Sequence, residues 1–253
     1  MNKKQERVDS LLVRRGLARS RQQAQEMISR ELVHYKKNRI TKPSQLLPSD
    51  TTELEVMPHD LQNYVSRAAL KLKGAVEHLN LNIEQFSVLD IGISTGGFTD
   101  YLLKSKVSAV VGIDVGHDQL SSSLKTDSRL TLIEKYNARQ LSRSDLKARG
   151  CATEFDLIVV DVSFISLEYI LPRCVELLKK GGILLALVKP QFEVGPNALG
   201  KGGIVREPKY YPIVEEKLRA ICKSLDLTIK DYFESQIEGA DGNKEFFIYA
   251  ISN

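Results

Sequence analysis

The residues best suited to chemistry gather in one stretch, VLDIGISTGGFTD, at positions 88–100. An apolar strand at 88–91, carrying Asp90, runs into Gly92, Ser94, Gly96 and Gly97, and a helix opens near Phe98. Glycine has no Cβ, so such a turn lets the backbone pass close to a ligand. The first amides of the helix have no partner within it and point at whatever is bound. Ser94 takes the second glycine position of GxGxxG, so the dinucleotide fingerprint is absent. The run AVVGID then closes on Asp114, 22 residues beyond Gly92. An acid at the end of the second strand of such a fold can accept both hydroxyls of a ribose. A helix cap is its alternative role. Asn137, just past the strand LTLIE at 130–134, offers an amide to an adenine ring.

Two further strands end in charged residues: DLIVV at 156–160 runs into Asp161, and ILLALV at 183–188 runs into Lys189. Strands alternating with helices at this spacing imply an α/β, Rossmann-like, mostly parallel sheet with its ligand at the carboxyl edge. Asp161 and Lys189, ending adjacent central strands, should lie close together. A helix over about 208–225 and the strands TIKDYF and EFFIYAI complete the domain. Its first helix carries Val65, Ala68, Leu72, Ala75, Val76 and Leu79 on one face. Lys71 in that helix, taken alone, reads as a surface lysine whose stem covers apolar neighbours. Glu245, opening the last strand in GNKEFF, reads alone as an edge-strand charge. Phe164 in DVSF can stack on a nucleoside or simply pack the strand end. The glycine-rich segment 193–208 is either a lid whose Lys201 and Arg206 meet phosphate or a flexible connection.

The net charge of +4 conceals a division. Residues 1–42 hold 12 Lys and Arg against 4 Asp and Glu, a net of +8, which leaves the remainder at −4. A compact basic unit attracts a polyanion. Val8, Leu11 and Leu12 mark a helix that Gly16 can end, and Ser20 with Gln23 opens a second helix bearing Ala24, Met27 and Ile28. VHYKKNRI reads as strand, turn and strand, and ELEV at 53–56 closes the small sheet. Pro43 and Pro48 should keep the stretch between irregular. Arg14, Arg15, Arg19, Arg21 and Arg30 cluster on the two helices, where guanidinium forks can bridge phosphate oxygens. The boundaries read as a domain at 1–58, a linker at 59–63 and a second domain at 64–253. Ser66 and Arg67, just past the linker, are placed to touch RNA between the two.

The longest apolar run, Ile183–Val188, has six residues, against roughly 20 for a membrane helix. With no apolar signal segment after the basic N-terminus, a cytoplasmic protein without stable membrane association is expected. Cys151, Cys174 and Cys222 show no CxxC spacing, so neither a disulfide framework nor a zinc site is expected.

The pattern RVDSLLVRRGLARSRQQAQEMI resembles the small RNA-binding domain first described in small-subunit ribosomal protein four, over about residues 7–56. That resemblance implies Arg19 and Arg21 as RNA contacts. Glu31 departs from its helix-ending glycine, and Lys36–Lys37–Asn38 from its Asn-Gly-like turn. Asp90, the glycine turn and Asp114 are similar to the cofactor motif of S-adenosylmethionine-dependent methyltransferases, with Asp90 and loop 92–97 around the methionine part. Residues 64–253 look like the ribose 2′-O-methyltransferase group of heat-shock RNA methyltransferases. The Lys–Asp–Lys–Glu tetrad of that group falls on Lys71, Asp161, Lys189 and Glu245. With the basic domain ahead, the blocks YVSRAALKL, LDIGISTGGFTD, DVSFISL, LVKPQFE and GNKEFF narrow the resemblance to the TlyA-type haemolysin/rRNA methyltransferase family. Gln236, where a proline is usual, and the Ala68–Ala69 pair depart from its pattern. The resemblance implies S-adenosylmethionine as cofactor, ribosomal RNA or ribosomal subunits as partner, and cytidine as target.

A ribose hydroxyl is a poor nucleophile and must meet the sulfonium methyl in line. A lysine amine accepts its proton when desolvation and a second cation lower the amine's pKa. On this reading Lys189 is the principal base, Lys71 supports the hydroxyl or lowers its pKa, and the two carboxylates orient the lysines. The donor is already a cationic electrophile, so a metal has no task. Pyrimidine carbon methylation would need a cysteine, and amine methylation an Asn/Asp-Pro-Pro-aromatic loop; the site motifs carry neither. The competing classes are a non-catalytic RNA-binding or ribosome-assembly factor, a membrane-active haemolysin and a nicotinamide oxidoreductase.

Overall fold

The computed structural model describes residues 4–57, 63–239 and 242–253. The chain divides into two compact units, Met1–Arg67 and Ala68–Asn253. The linker expected at 59–63 lies, apart from Asn63, outside the described residues.

The first unit packs α1 (Val8–Arg14) against α2 (Arg21–Ser29). Val8, Leu11, Leu12, Ala24, Met27 and Ile28 are fully buried, the faces that the helical spacing marks. Strand β1 (Gln5–Arg7) pairs with β4 (Leu46–Pro48), while β2 (Val33–Tyr35) lies between β3 (Asn38–Arg39) and β5 (Leu54–Val56). Strand β4 corrects the expectation of an irregular stretch up to Pro48: proline is tolerated at the end of an edge strand, where its missing N–H breaks no ladder. Gly16, at φ +70, ends α1 with paired bonds from Gly16 N–H to Val13 O and from Leu17 N–H to Leu12 O. The same two bonds close α2 at Glu31 and Leu32, although Glu31 must adopt φ +62 without being glycine. Glu31 pairs instead with Arg39 at 2.6 Å. Lys36 and Lys37 form the β2–β3 turn, both at positive φ.

The second unit is a seven-stranded sheet in the order β11-β12-β10-β9-β6-β7-β8. Strands β6 (Ser87–Ile91), β7 (Ala109–Ile113), β8 (Leu130–Ile133), β9 (Phe155–Val160) and β10 (Leu178–Val188) run parallel. Strand β12 (Phe246–Ser252) is antiparallel to both β10 and β11 (Leu227–Glu234). Helices α3 (Ala68–His78), α4 (Gly97–Lys104), α5 (Arg143–Ala148), α6 (Leu171–Leu177), α7 (Pro190–Glu193) and α8 (Tyr210–Ser224) connect or flank them. Leu89, Ile91, Ile158, Val160, Leu184 and Ala186 are fully buried, as strands covered on both faces require. Strand β10 starts five residues before the apolar run, with a register irregularity between Leu178 and Ile183. The chain leaves β6 toward β7 and β8, then returns to β9 on the other side. The switch point between β6 and β9 is where such sheets bind ligands. Among the described residues no helix is long and apolar enough to cross a membrane.

One buried carboxylate organises the basic unit. Asp9, in the first turn of α1, accepts from Arg7 Nε at 3.0 Å and Nη2 at 2.9 Å, from Arg21 Nη2 at 3.0 Å and from Gln25 Nε2 at 3.1 Å. The Arg7 and Arg21 hydrogen bonds hold its pKa far below the ordinary carboxylate range, against the cost of burial. A carboxyl depressed in the fold contributes stability at pH above its unfolded value, and this is lost as pH falls through the native one. Asp9→Asn should destabilise the unit by about 2 kcal/mol at neutral pH. Native-state hydrogen exchange of the α1 and α2 amides in the full chain should show faster opening, and the variant should lack the wild-type loss of protection below about pH 4.

Candidate active site

Asp90, fourth in β6, is fully buried. Thr99 Oγ1 donates to its Oδ2 at 2.6 Å, while its Oδ1 has no hydrogen-bond partner among the described residues. Burial pushes its pKa up to about 7, with the charges of Asp161 and Asp114 adding to the rise and the Thr99 hydrogen bond opposing it. Gly92 sits at φ +89, where a Cβ would stand 2.4 Å from the Asp161 carbonyl oxygen. Glycine is what lets the ends of β6 and β9 approach so closely. Ser94 adopts φ +46 despite its side chain, and its N–H donates to Asp114 Oδ2 at 2.8 Å. Gly116 N–H donates to the other oxygen at 2.7 Å. Asp114 therefore ties the glycine turn to the end of β7 and caps no helix.

Gly96 is left-handed at φ +89, and Gly97 opens α4. Phe98 turns its ring into the core, 6.4 Å from Phe247, so only its backbone faces the turn. Asn137 is exposed and accepts from Arg139 N–H at 3.1 Å.

Two lysine–carboxylate pairs stand where β9 and β10 end and β12 begins. Asp161 N–H donates to Ile91 O at 2.9 Å, fixing Asp161 at the switch point. Lys189 Nζ pairs with Asp161 Oδ1 at 2.6 Å and donates to Ser163 Oγ at 2.9 Å. The antiparallel register Val188↔Phe246 carries β10 out toward Lys189 just where Glu245 leads into β12. Lys71 Nζ reaches Glu245 Oε2 at 2.5 Å, with side chains only 6% and 3% exposed. Both isolated readings are thereby corrected: Lys71 points inward from α3 and does not snorkel, and Glu245 is buried and not an edge charge. Glu245 is further fixed by Ser235 N–H, which donates to its carbonyl at 2.8 Å. Gly239 lies so close that a Cβ would stand 2.7 Å from Glu245 Oε1. Gln236, in the position of the family's proline, lies over Gly74 of α3, with its Oε1 3.1 Å from where a Cβ would be.

Phe164 is 90% exposed at φ +63, its ring 5.0 Å from Phe192. It does not pack the strand end. Lys201 and Arg206 are exposed on a segment fastened by a bridge between Leu199 and Val205. Buried Asn243 adds to this, accepting from Val205 N–H at 3.0 Å and donating to Gly203 O at 3.2 Å. The segment is thus an ordered loop built on α7 and two short 3-10 turns.

In the basic unit, Arg14 forks onto Glu6 at 3.0 and 2.8 Å and reaches Ser49 O at 2.7 Å. Arg21 is held by Asp9, Arg15 is half-buried and Arg19 is exposed. Arg67 pairs with Glu26 at 3.7 Å, and Ser66 Oγ is buried with no hydrogen-bond partner among the described residues. Sequence reasoning passed over Thr99, Ser163, Glu193 and Asn243. The first two were within reach, standing two residues from Gly97 and Asp161; Glu193 and Asn243 act on distant segments, and nothing local marks them.

An FtsJ-like methyltransferase pattern matches residues 64–251, and an S4 domain pattern matches residues 6–52. A Mycobacterium tuberculosis protein named 16S/23S rRNA (cytidine-2'-O)-methyltransferase TlyA is 40% identical over 96% of this chain and 88% of its own length. A solved structure from Streptococcus thermophilus is 37% identical with a TM-score of 0.76, covering 99% of this chain and 90% of that one. A S-adenosylmethionine-dependent methyltransferase from Mesorhizobium loti shares the fold at 14% identity and a TM-score of 0.52, covering 70% of this chain and 95% of that one. With S4 and FtsJ-like domains in this order and 40% identity to a TlyA protein along nearly the whole chain, this protein belongs to the TlyA family of S4-domain methyltransferases.

Proposed function

We propose that this protein transfers a methyl group from S-adenosylmethionine to a ribose 2′-hydroxyl in ribosomal RNA, with cytidine as the target nucleoside. The observation that carries the reading is the pairing of Lys189 with Asp161, just past the ends of the neighbouring strands β10 and β9, and of Lys71 of α3 with Glu245, which leads into β12 beside β10.

The residues fit the donor. Asp90 has a buried carboxylate oxygen with no partner among the described residues, and Asp114, at the end of β7, accepts one backbone N–H on each oxygen and keeps a lone pair on each for a ribose hydroxyl. Asp90 and the 92–97 turn would hold the methionine part, Asp114 the ribose, and Asn137 the adenine region. When bound, the donor supplies an electrophilic methyl on a positively charged sulfur. Lys189, as the neutral amine, would take up the proton that the substrate hydroxyl gives up on methylation, and would become the ammonium partner of Asp161. Asp161 and Ser163 hold the Lys189 Nζ at the switch point. Lys71, fixed by Glu245, supports the hydroxyl from the second side. Phe164 offers a solvent-facing ring on which the target base can stack. The S4 domain delivers structured RNA through Arg14, Arg15, Arg19 and Arg21, with Ser66, Arg67, Lys201 and Arg206 as further contacts.

Labelled methyl transfer to ribosomal RNA and ribosomal subunits tests this reading. Lys189→Ala and Asp161→Ala should each lower the rate by roughly 10²- to 10⁴-fold while the folded variants still bind the donor. No transfer by the wild type to any of these substrates would favour a binding factor. Asp90 provides a second test, on the donor-free protein. Its native pKa of about 7 lies above the ordinary carboxylate value, so the folded state holds a proton that the unfolded state releases. Stability should fall as pH rises from about 4 to about 7 and then level off. Asp90→Asn should flatten that slope and be more stable than the wild type at pH 8 by a few kcal/mol, on the order the shift implies. Urea unfolding at pH 5 and pH 8 reads both effects, and an unchanged slope would refute the assignment.

A further inference from the structure

A left-handed backbone is costly for an aromatic residue, and exposing the ring forgoes the gain from burying it. Phe164 does both, so the surrounding structure must impose its turn. One end is held through Lys189, which engages Asp161 and Ser163. The other end is held by Glu193, the last residue of α7 and only four positions beyond Lys189. Its side chain is 1% exposed. Leu167 N–H donates to Glu193 Oε1 at 2.7 Å, and Ser166 Oγ donates to Oε2 at 2.6 Å. Lys217 of α8 pairs with Glu193 at 3.2 Å, donates to Ser166 Oγ at 3.2 Å and pairs with Glu168 at 3.2 Å. A buried carboxylate with this many partners is satisfied, and it spends its hydrogen bonds on Ser166 and Leu167, two and three residues beyond Phe164. The segment that follows β10 thus grips the segment that follows β9 at two points, and Ser163 and Phe164 stand between them.

We propose that Glu193 is a positioning residue for methyl transfer: it fixes the Ser163–Phe164 turn as a shelf that presents the target nucleoside to Lys189. This rests on the reading of Phe164 as the base-stacking residue. Glu193 does not touch the substrate, and its effect passes through the turn. Lys217 neutralises the carboxylate and braces it against α8.

Single-turnover transfer to ribosomal RNA should be compared in wild type, Phe164→Ala, Glu193→Gln and the double variant, with donor binding measured by calorimetry on the same proteins. Glutamine can accept from Leu167 N–H but loses the ion pair to Lys217. The Glu193→Gln rate should fall roughly 10- to 100-fold, the loss expected when a reacting group is displaced by about 1 Å. Donor affinity should be unchanged. The double variant should be no slower than Phe164→Ala, because both changes remove the same shelf. A wild-type rate in Glu193→Gln, or losses that multiply in the double variant, would overturn the proposal. If Glu193→Gln fails to fold, Ser166→Ala keeps the Glu193–Lys217 pair and removes the Ser166 Oγ bonds to Glu193, Lys217 and the Glu168 N–H. It should lower the rate without changing donor affinity, and a rate equal to wild type would overturn the proposal too. Absence of ribose methylation by the wild type would sink the underlying function and the positioning role with it. Wild-type methylation with unaffected variants would sink the positioning role alone.

Discussion

The Lys71–Glu245 ion pair is the contact on which the site depends. Taking two full charges out of water costs more than their attraction reliably returns, so such a pair is weak support for stability. It does set where α3 stands relative to the last strand. Lys71 and Glu245 lie 174 residues apart, and the bond between them ties α3 to the start of the last strand. The β10–β12 register then brings Glu245 alongside Lys189, whose partner Asp161 is fastened to the end of β6. Removing either member of the buried pair would leave the other charge uncompensated and loosen this edge at its least accessible point.

A second cost is concentrated at the carboxyl end of β6. Asp90 is buried with one oxygen unpartnered, in the field of two other carboxylates. A fold selected only for stability would place an apolar residue there. Gly92 is constrained in the opposite sense, since the Asp161 carbonyl leaves no room for a side chain. The two residues mark the same place, one by an unmet interaction and the other by an enforced absence. Perturbed groups of this kind cluster at functional sites.

Much of this was legible in the chain itself. Each parallel strand is a short apolar run, and Asp90, Asp114, Asp161 and Lys189 stand in or just after those runs, so their placement at the carboxyl edge follows from local pattern. The basic unit was legible for the same reason: its two helices carry apolar faces at helical spacing, with Gly16 and Ser20 as end signals. Lys71 and Glu245 were not legible from spacing, because a contact across 174 residues leaves no periodicity behind; only the family resemblance pointed to them. Strand β4 was missed because two prolines outweighed an edge pairing that an N–H-deficient residue can still end. The early start of β10 was hidden by Lys179, Lys180, Gly181 and Gly182, which carry no apolar signal.

The central claim is that this edge acts on a ribose hydroxyl and not on a base. Mass spectrometry of nucleosides from RNA methylated by the purified protein tests it most directly, because fragmentation at the glycosidic bond separates sugar from base. The account predicts the added methyl mass on the sugar, with the base fragment unshifted. A methyl group retained on the base fragment would contradict it.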